Sequence, residues 1–213
     1  MVDNLRLQLE AVNDYRFSDE EWGRFFSEVL ANPKSGIVEK TRLIQEDFVQ
    51  VLRRDDGSSK NITLFDKKNI HNNRLQVINQ YAVSKEEGAA HDNRYDVTVL
   101  VNGLPMVHIE LKRRGVPIRE AFNQIDRYQR DSFWAASGLF EYVQIFVVSN
   151  GTNTKYYSNT TRFNHIKDAN SHKVKKEKPA TALSLLPFGR MPATGSSLIL
   201  WTLPRPFSAN TPF

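Results

Sequence analysis

The chain has 213 residues, of which 40% are hydrophobic and 25% are charged, the balance of an ordinary folded protein with a sizeable core. It contains no cysteine, which excludes disulfides, zinc–thiolate sites and cysteine nucleophiles. The net charge of +5 suits a polyanionic partner without identifying one. Because neither a secretory signal nor an apolar run of about 18 residues is present, we expect a cytoplasmic protein.

The N-terminal third carries two helix signals. Ser18 and Glu21 have the spacing of a capping box, and Phe17 is placed for a hydrophobic staple on Trp22. The apolar face of this helix consists of Trp22, Phe25, Phe26, Val29 and Leu30. A second helix is predicted from Leu43, Ile44, Phe48, Val51 and Leu52. We expect it to end at the Asp-Asp-Gly sequence of residues 55–57, and the first ten residues suggest a domain truncated at its N-terminus.

Strand signals begin near residue 61. The runs 62–65 and 75–82 are rich in β-favouring residues, and the polar residues 84–93 indicate a surface loop. This loop leads into RYDVTVLVNGLPMVHIELK, residues 94–112, which we call the hairpin stretch. The sheet is therefore predicted to begin with consecutive antiparallel strands.

The hairpin stretch reads as two strands joined by a tight turn. Apolar and polar residues alternate with a period of two on either side of an Asn-Gly pair, a dipeptide typical of hairpin turns. If the loop has three residues and ends at Leu104, Asp96 lies opposite Glu110; a shorter or longer loop moves the pairing by one position. Lys112 comes two residues after Glu110 and therefore shares its face. The sequence thus predicts two carboxylates and one ammonium close together.

Such a charge cluster has two explanations. Two carboxylates about 5 Å apart repel by roughly 3 kcal/mol at an effective dielectric of about 20, and like charges opposite each other destabilise a sheet. Lys112 alone could neutralise them in an ion cluster at a solvated strand end. Alternatively, a divalent cation that prefers oxygen ligands binds between Asp96 and Glu110. The spacing by itself leaves both explanations open.

A helix and a buried strand follow the hairpin stretch. Pro117 suits a first helical position, and the apolar stripe of this helix consists of Ile118, Ala121, Phe122 and Ile125. Gln124 and Tyr128 lie along one edge of that stripe. The apolar run 142–148 is typical of a central strand, and a last strand is expected at 154–157. Strand, helix and strand form a right-handed crossover, so we predict an α/β (α+β) fold with a mixed central β-sheet flanked by helices.

The C-terminal residues have a different character. Residues 179–213 contain six of the nine prolines, two arginines and no acidic residue. Apart from a candidate strand at 196–203, they have neither helical nor strand periodicity. We predict one domain over residues 1–178 and an atypical Pro-rich tail over 179–213, of non-native or out-of-frame origin, and assign no function to that tail.

The hairpin stretch and the helix after it resemble a nuclease signature. Asp96, thirteen residues, and then Glu110-Leu111-Lys112 match the D…(D/E)-x-K pattern of the PD-(D/E)xK nuclease superfamily, and residues 124–128 match the Q-x-x-x-Y motif of one branch. The segments EKTRLIQEDF, FDKKNIHNNRLQVINQY and LFEYVQIFVVSNGTNTKYYSN carry the likeness further. Over about residues 10–178, the chain resembles the N-terminal endonuclease domain of the restriction (motor) subunit of type I restriction-modification enzymes.

The resemblance implies a restriction-endonuclease-like core whose catalytic residues are Asp96, Glu110 and Lys112. Mg²⁺, with Mn²⁺ as an alternative, is expected to bind Asp96, Glu110 and the main-chain carbonyl of Leu111. Lys112 is expected to orient the attacking water and to offset charge in the transition state. The family also carries an acidic residue on an N-terminal helix, which we leave unassigned here.

DNA contacts are implied for the residues around this trio. Gln124 and Tyr128 would contact DNA or orient Lys112; without the resemblance, the polar border of a packed helix is the alternative explanation. Candidate phosphate contacts are Arg113, Arg114, Arg119, Arg127 and Arg130. For any one of these arginines taken alone, an ordinary surface position is the simpler explanation. His108 shares the face of Glu110, and we expect a satisfied sheet histidine in preference to a residue that borders the metal.

The implied function is metal-dependent hydrolysis of double-stranded DNA without sequence specificity of its own, as in a type I site-specific deoxyribonuclease. In that family ATP acts through a separate motor, and the modification and specificity subunits are partners. The chain contains no G-x-x-x-x-G-K-[ST] loop, so we expect no ATP hydrolysis through that motif and little cleavage by this chain alone. Two alternatives remain: another PD-(D/E)xK nuclease of DNA repair, or a non-catalytic module that binds DNA or a subunit.

Overall fold

The computed structural model describes residues 1–135 and 137–159, with the backbone of Gly189–Arg190. Within these residues the α-helices are α1 Val2–Asn13, α2 Asp19–Phe25, α3 Ile37–Gln45 and α4 Ile118–Asp131. The strands are β1 Val49–Arg53, β2 Ser59–Thr63, β3 Leu75–Val83, β4 Asn93–Val101, β5 Leu104–Leu111, β6 Ile145–Ser149, β7 Thr154–Ser158 and β8 Gly189–Arg190. None of the helices in the described part of the chain could span a lipid bilayer.

The N-terminal helices enclose the first of two hydrophobic cores. The predicted capping box at the start of α2 is confirmed, because Ser18 Oγ accepts a hydrogen bond from Glu21 N at 3.0 Å and Glu21 Oε2 accepts one from Ser18 N at 3.1 Å. Phe17 packs against Trp22 with ring centroids 5.4 Å apart. The predicted apolar face of α2 and of the π-helical turn after it, Phe26–Leu30, lines this first core.

Helix α1 forms where no helix was predicted. Leu5 and Leu9, one helical turn apart, are fully buried in the first core. The helix is followed by the C-cap residue Asp14, whose φ of 45° is left-handed. Leu5, Leu7 and Leu9 alternate with polar residues as in a strand, and Leu7 is exposed in the structure. This alternation obscured the helical spacing of the two buried leucines.

The predicted second helix is partly wrong. Helix α3 ends at Gln45, and the residues expected to continue it form β1 instead. Leu52 is buried between exposed Val51 and Arg53, which is the alternation of a strand and not of a helix. The Asp-Asp-Gly sequence is accordingly a hairpin turn into β2, with Gly57 at a φ of +82°. Tertiary packing of this small two-stranded sheet decided between two patterns that a short apolar run cannot separate.

The larger sheet is mixed, as predicted. Its strand order is β3-β4-β5-β6-β7-β8, with β5 and β6 parallel and the other neighbours antiparallel. Helix α4 connects the two parallel strands and packs on the sheet, where Ala121 and Ile125 join Tyr95 and Phe146 in the second core. The α+β architecture with a strand–helix–strand connection is therefore confirmed. Strand β6 begins later than predicted, because Leu139–Tyr142 form a 3₁₀ turn.

Most of the predicted C-terminal tail lies outside the described residues. The proposed boundary at residue 178 and the candidate strand at 196–203 both lie outside the described part of the chain. Within the predicted tail, the backbone of Gly189–Arg190 pairs with Lys155 and Tyr156 at the edge of β7.

The β4–β5 hairpin reaches its predicted register by an unexpected route. Its turn contains two residues, Asn102 and Gly103, with φ of 50° and 85°, the conformation of a type I′ turn. This turn is shorter than the three-residue loop assumed, but a β-bulge places Met106 as an extra residue on β5 and shifts the pairing by one. Val97 then pairs with Ile109, so the next positions, occupied by the two carboxylates, are opposed.

Candidate active site

Asp96 lies on β4 next to Val97, the last residue of that strand paired with β5, and its side chain is half-buried. Its Oδ2 accepts a hydrogen bond of 2.9 Å from the main-chain N–H of Leu111. Its Oδ1 accepts a longer one of 3.4 Å from Nε2 of Gln80 on β3. Donors from the strands on both sides therefore orient this carboxylate.

Glu110 is the buried acid of the site. Its side chain is fully inaccessible, and Lys112 Nζ lies 3.0 Å from Oε1. Within the described residues, Oε2 has no hydrogen-bond partner; it lies 3.6 Å from Nε2 of His108, which has none either. A buried carboxylate oxygen without a partner is costly, and binding of a cation would offset that cost.

His108 lies beneath the site and not on its surface. Its Nδ1 is 3.3 Å from Oγ1 of the buried Thr98, and the rings of Tyr95, Tyr128 and Phe133 pack around the imidazole. The prediction of a satisfied sheet histidine thus holds for one ring nitrogen only. The other nitrogen faces Glu110, so His108 contributes to the polarity of the pocket in which this carboxylate is buried.

A chain of hydrogen bonds links Lys112 to helix α4. Lys112 Nζ donates to Oε1 of Gln124, Nε2 of Gln124 donates to the Tyr128 hydroxyl, and that hydroxyl donates to the carbonyl of Arg94 at 2.9 Å. Burial raises the pKa of Tyr128; the charges of the two carboxylates add to this rise, and the Gln124 hydrogen bond opposes it. The phenol therefore remains protonated at neutral pH. Of the two predicted residues on α4, Gln124 therefore contacts Lys112 directly, and Tyr128, one helical turn later, contacts Gln124.

A basic cleft opens beside Lys112. It has a volume of about 540 Å³ and lies between the end of β5 and helix α4, where exposed Arg113 and Arg127 line it together with Glu120. The Arg127 guanidinium also lies 5.8 Å from the Tyr128 ring centroid. Arg114 is exposed next to the cleft without lining it.

The two remaining candidate arginines lie on α4 away from the cleft lining. Arg119 is exposed, and Arg130 pairs with the adjacent Asp131 at 2.8 Å. An arginine whose charge is already paired is a weaker candidate for a phosphate contact. The arrangement therefore favours Arg113 and Arg127 over Arg130.

The oxygen donors of the site suit a hard divalent cation, although they include only two carboxylates. Mg²⁺ is commonly bound through one or two carboxylates and keeps several waters. Asp96 and Glu110 supply that number, and the main-chain carbonyl of Leu111 is adjacent in sequence to Glu110. Among the described residues, no group of three or more His, Asp or Glu side chains is arranged to hold a metal. A cation here would complete its coordination with main-chain and water oxygens.

Two buried or partly buried acids near the N-terminus, Glu10 and Glu21, have partners outside the site. Glu10 accepts hydrogen bonds from Arg6 Nε and from the main-chain N–H of Phe17, each at 3.1 Å. Glu21 accepts one from the Tyr15 hydroxyl at 2.7 Å. These contacts fix the junction between α1 and α2 and explain both carboxylates structurally.

Gln80 is the site residue that the sequence did not reveal. It lies in a run of β-favouring residues, where an amide gives no signal of its own. Its contact with Asp96 depends on the pairing of β3 with β4 and on an unusual backbone conformation at Gln80. Neither feature can be read from local residue pattern.

The mixed sheet, the strand–helix–strand connection and the opposed carboxylates with a lysine two residues further on define a nuclease-like α+β core. Residues 1–165 match the family described as type I restriction enzyme R protein N terminus. The chain belongs to this family.

Curated relatives agree with that assignment. The chain is 52% identical over 162 residues to the type I restriction enzyme EcoprrI endonuclease subunit of Escherichia coli, covering 76% of this chain and 50% of that protein. It is 40% identical over 164 residues to the type I restriction enzyme SauMSSORF170P endonuclease subunit of Staphylococcus aureus, covering 75% of this chain and 16% of that protein. The type I restriction enzyme SsaAORF53P endonuclease subunit of Staphylococcus saprophyticus gives the same identity and coverage. The chain thus spans half or less of the length of these relatives.

Proposed function

We propose that this domain hydrolyses phosphodiester bonds of double-stranded DNA in a Mg²⁺-dependent reaction, as the nuclease part of a type I restriction enzyme. The observation that carries the proposal is the environment of Glu110. Its fully buried carboxylate is paired with Lys112 through one oxygen, lacks a partner for the other among the described residues, and lies opposite Asp96 in the sheet. The relatives named as endonuclease subunits support the same class of reaction.

Asp96, Glu110 and the main-chain carbonyl of Leu111 are the residues that would hold the metal. When bound, Mg²⁺ or Mn²⁺ supplies Lewis acidity, which activates water and stabilises negative charge on the phosphate. The hydrogen bond from Leu111 N to Asp96 Oδ2 sets the orientation of that carboxylate before any ligand arrives. Such preorganisation lowers the cost of assembling the site.

Lys112 has the position of an electrostatic and orienting group. Glu110 Oε1 and Gln124 Oε1 both accept hydrogen bonds from its ammonium, so the charge is held at the mouth of the cleft instead of sampling solvent. From there it orients the attacking water and offsets charge that develops on the phosphate. Gln124 is in turn oriented by Tyr128.

The cleft beside Lys112 is the proposed binding site for the DNA backbone. Arg113 and Arg127 line it, and Arg114 is exposed at its side. Contacts from these arginines to phosphate carry no base information, so they supply affinity that depends on salt and not on sequence. This agrees with a nuclease that lacks sequence specificity of its own.

The properties of the whole enzyme belong to the same proposal. Because the chain spans about a sixth of its staphylococcal relatives, we assign the use of ATP to a motor in the remainder of the subunit. Selection of the DNA site is assigned to the modification and specificity subunits. The present chain alone is then expected to cleave DNA slowly.

Nicking of supercoiled plasmid by the 213-residue chain in Mg²⁺ or Mn²⁺ tests the proposal. We expect slow nicking that Lys112→Ala abolishes, whereas Lys34→Ala, a change at an exposed lysine on a loop, leaves it unchanged. Calorimetry should show Mn²⁺ binding that disappears in Asp96→Ala.

The other outcomes separate the alternatives. Equal nicking by wild type and Lys112→Ala would place the activity elsewhere. Degradation that requires DNA ends would favour a repair-type exonuclease. DNA binding without any metal binding would indicate a non-catalytic module.

A further inference from the structure

The pairing of β3 with β4 is interrupted at one residue, Gln80. The ladder extends from the pair Leu75–Val101 to the pair Val83–Asn93, and within it every residue of β3 except Gln80 has a Cα partner. The position opposite Gln80 is Asp96. The interruption therefore lies directly across from Asp96, the proposed metal ligand.

The backbone of Gln80 is in the left-handed region, with a φ of 53°. Among the described residues, the other two non-glycine residues with positive φ are Asp14, which ends a helix, and Asn102, which lies in a turn. Short polar side chains are the ones that tolerate this region best. Glutamine in the interior of a strand is not favoured there, and such conformations persist only where the surrounding structure imposes them.

The conformation of Gln80 changes which side chains face the core. Before it, Gln76 and Ile78 are the more covered residues of β3, whereas after it Tyr81 and Val83 are. The alternation changes at the same level on the partner strand, where the buried residues Tyr95 and Thr98 are separated by two partly exposed ones.

Asp96 is one of those two partly exposed residues. A regular alternation from Thr98 and Leu100, both buried, would have placed Asp96 in the core. The irregularity thus brings its carboxylate to the edge of the core, where Gln80 Nε2 reaches Oδ1 at 3.4 Å. The exposed side chain of Gln80 is held toward Asp96 by the same backbone feature.

We infer that Gln80 is a positioning residue for Asp96, a role that rests on the proposed function of Asp96 as a metal ligand. Leu111 N holds Oδ2 and Gln80 Nε2 holds Oδ1, so the carboxylate is oriented from both neighbouring strands. An amide suits this role because it donates a hydrogen bond without carrying a charge that would compete with a cation. Gln124 has the corresponding relationship to Lys112 on the other side of the site.

Two substitutions separate the effect of the Gln80 side chain from that of its backbone, and a third serves as the control. Gln80→Gly removes the side-chain amide and favours the left-handed backbone conformation, because glycine adopts that conformation without a steric cost. Gln80→Asn keeps a shorter amide on a residue that tolerates the same conformation. Gln76→Ala is the matched control on the same strand, since the amide of Gln76 contacts Asn4 and not Asp96.

Mn²⁺ affinity by calorimetry and the metal-free melting temperature are the two readouts, measured on the 213-residue chain. In Gln80→Gly we expect an unchanged or higher melting temperature and a dissociation constant for Mn²⁺ that is about tenfold larger, the lower end of what loss of an outer-sphere partner costs. Gln80→Asn should lose less affinity than Gln80→Gly. Gln76→Ala should leave the affinity unchanged.

Each alternative result has a distinct meaning. Unchanged Mn²⁺ affinity in Gln80→Gly, with affinity lost in Asp96→Ala, would overturn the role of Gln80 and leave the proposed function intact. An equal loss in Gln80→Gly and Gln80→Asn, accompanied by lower melting temperatures, would mean that Gln80 is only structural. Mn²⁺ affinity that is insensitive to Asp96→Ala would overturn the metal site itself, and the positioning role with it.

Discussion

The ammonium of Lys112 lies 3.0 Å from Oε1 of Glu110, a carboxylate whose side chain is fully buried, while the lysine itself is 20% exposed. Glu110 therefore has a charge partner at the border between the core and the cleft. Because a buried charge that loses its partner is strongly destabilising, this ion pair stabilises the fold. It also holds the Lys112 ammonium beside the proposed metal site.

Lys112→Met should lower both activity and stability. We expect nicking to fall about 100-fold or more, the usual effect of losing an electrostatic group that acts on the transition state. The free energy of unfolding should fall by about 1–3 kcal/mol, because Glu110 Oε1 loses its donor. Urea denaturation with and without Mg²⁺ measures the second effect, and Mg²⁺ should recover part of the loss by replacing the missing positive charge. If Mg²⁺ raised the free energy of unfolding of neither the wild type nor Lys112→Met, the proposed metal site would be contradicted.

Tyr128→Phe should disturb the site with little damage to the core. The change leaves the buried ring in place but removes the hydroxyl that donates to Arg94 O and accepts from Gln124. We expect a loss of about 1 kcal/mol in unfolding free energy and a larger relative loss in nicking rate, because Gln124 and Lys112 lose an orienting partner. Tyr142→Phe is the control, since its hydroxyl donates to Leu30 O in the other core. Equal effects of the two changes on nicking would argue against an orienting role.

The carboxyl of Glu21 should make stability depend on pH in the acid range. Burial alone would raise its pKa, but hydrogen bonds from Tyr15, Ser18 N and Asp55 N outweigh burial and lower the pKa below its usual value of 4.5. A lowered pKa means that the stabilisation is present above pH 4.5 and is lost as the pH falls through the folded-state value. Glu21→Gln should therefore cost about 1–3 kcal/mol at pH 7.

Urea titrations at pH 7 and at about pH 3 check the sign of this dependence, since the difference between wild type and Glu21→Gln should shrink in acid. Glu20→Gln is the matched control, because Glu20 is exposed at the same helix end. A difference that grew as the pH fell would mean that Glu21 is not stabilised as the carboxylate.

The sequence was most informative where one local pattern decided the structure. Alternation and an Asn-Gly turn were sufficient for the β4–β5 hairpin, and the apolar stripe was sufficient for α4. The elements that were missed or wrong depended on contacts between distant residues. Helix α1 buries Leu5 and Leu9 against the first core, and β1 exists because it pairs with β2.

The site shows the same division. The register that opposes the two carboxylates was predicted from an assumed three-residue loop, but it arises from a two-residue turn and a bulge at Met106. The turn is one residue shorter than assumed and the bulge adds one residue to β5, so the two deviations cancel. The bulge reflects packing that no local pattern encodes. The left-handed conformation of Gln80 belongs to the same category, because it depends on the neighbouring strand.

Gly103 connects this hairpin to α1, and its replacement tests how firmly the register is held. A Cβ at Gly103 would lie 2.6 Å from the Leu5 Cα, and its φ is +85°; Gly151 has a φ of +75° with nothing within 4 Å. Gly151→Ala should therefore lose about 1–2 kcal/mol of unfolding free energy from backbone strain alone. Gly103→Ala should lose about 1–3 kcal/mol more from the clash, as measured by urea denaturation. Equal losses would show that α1 moves away easily and does not hold the hairpin.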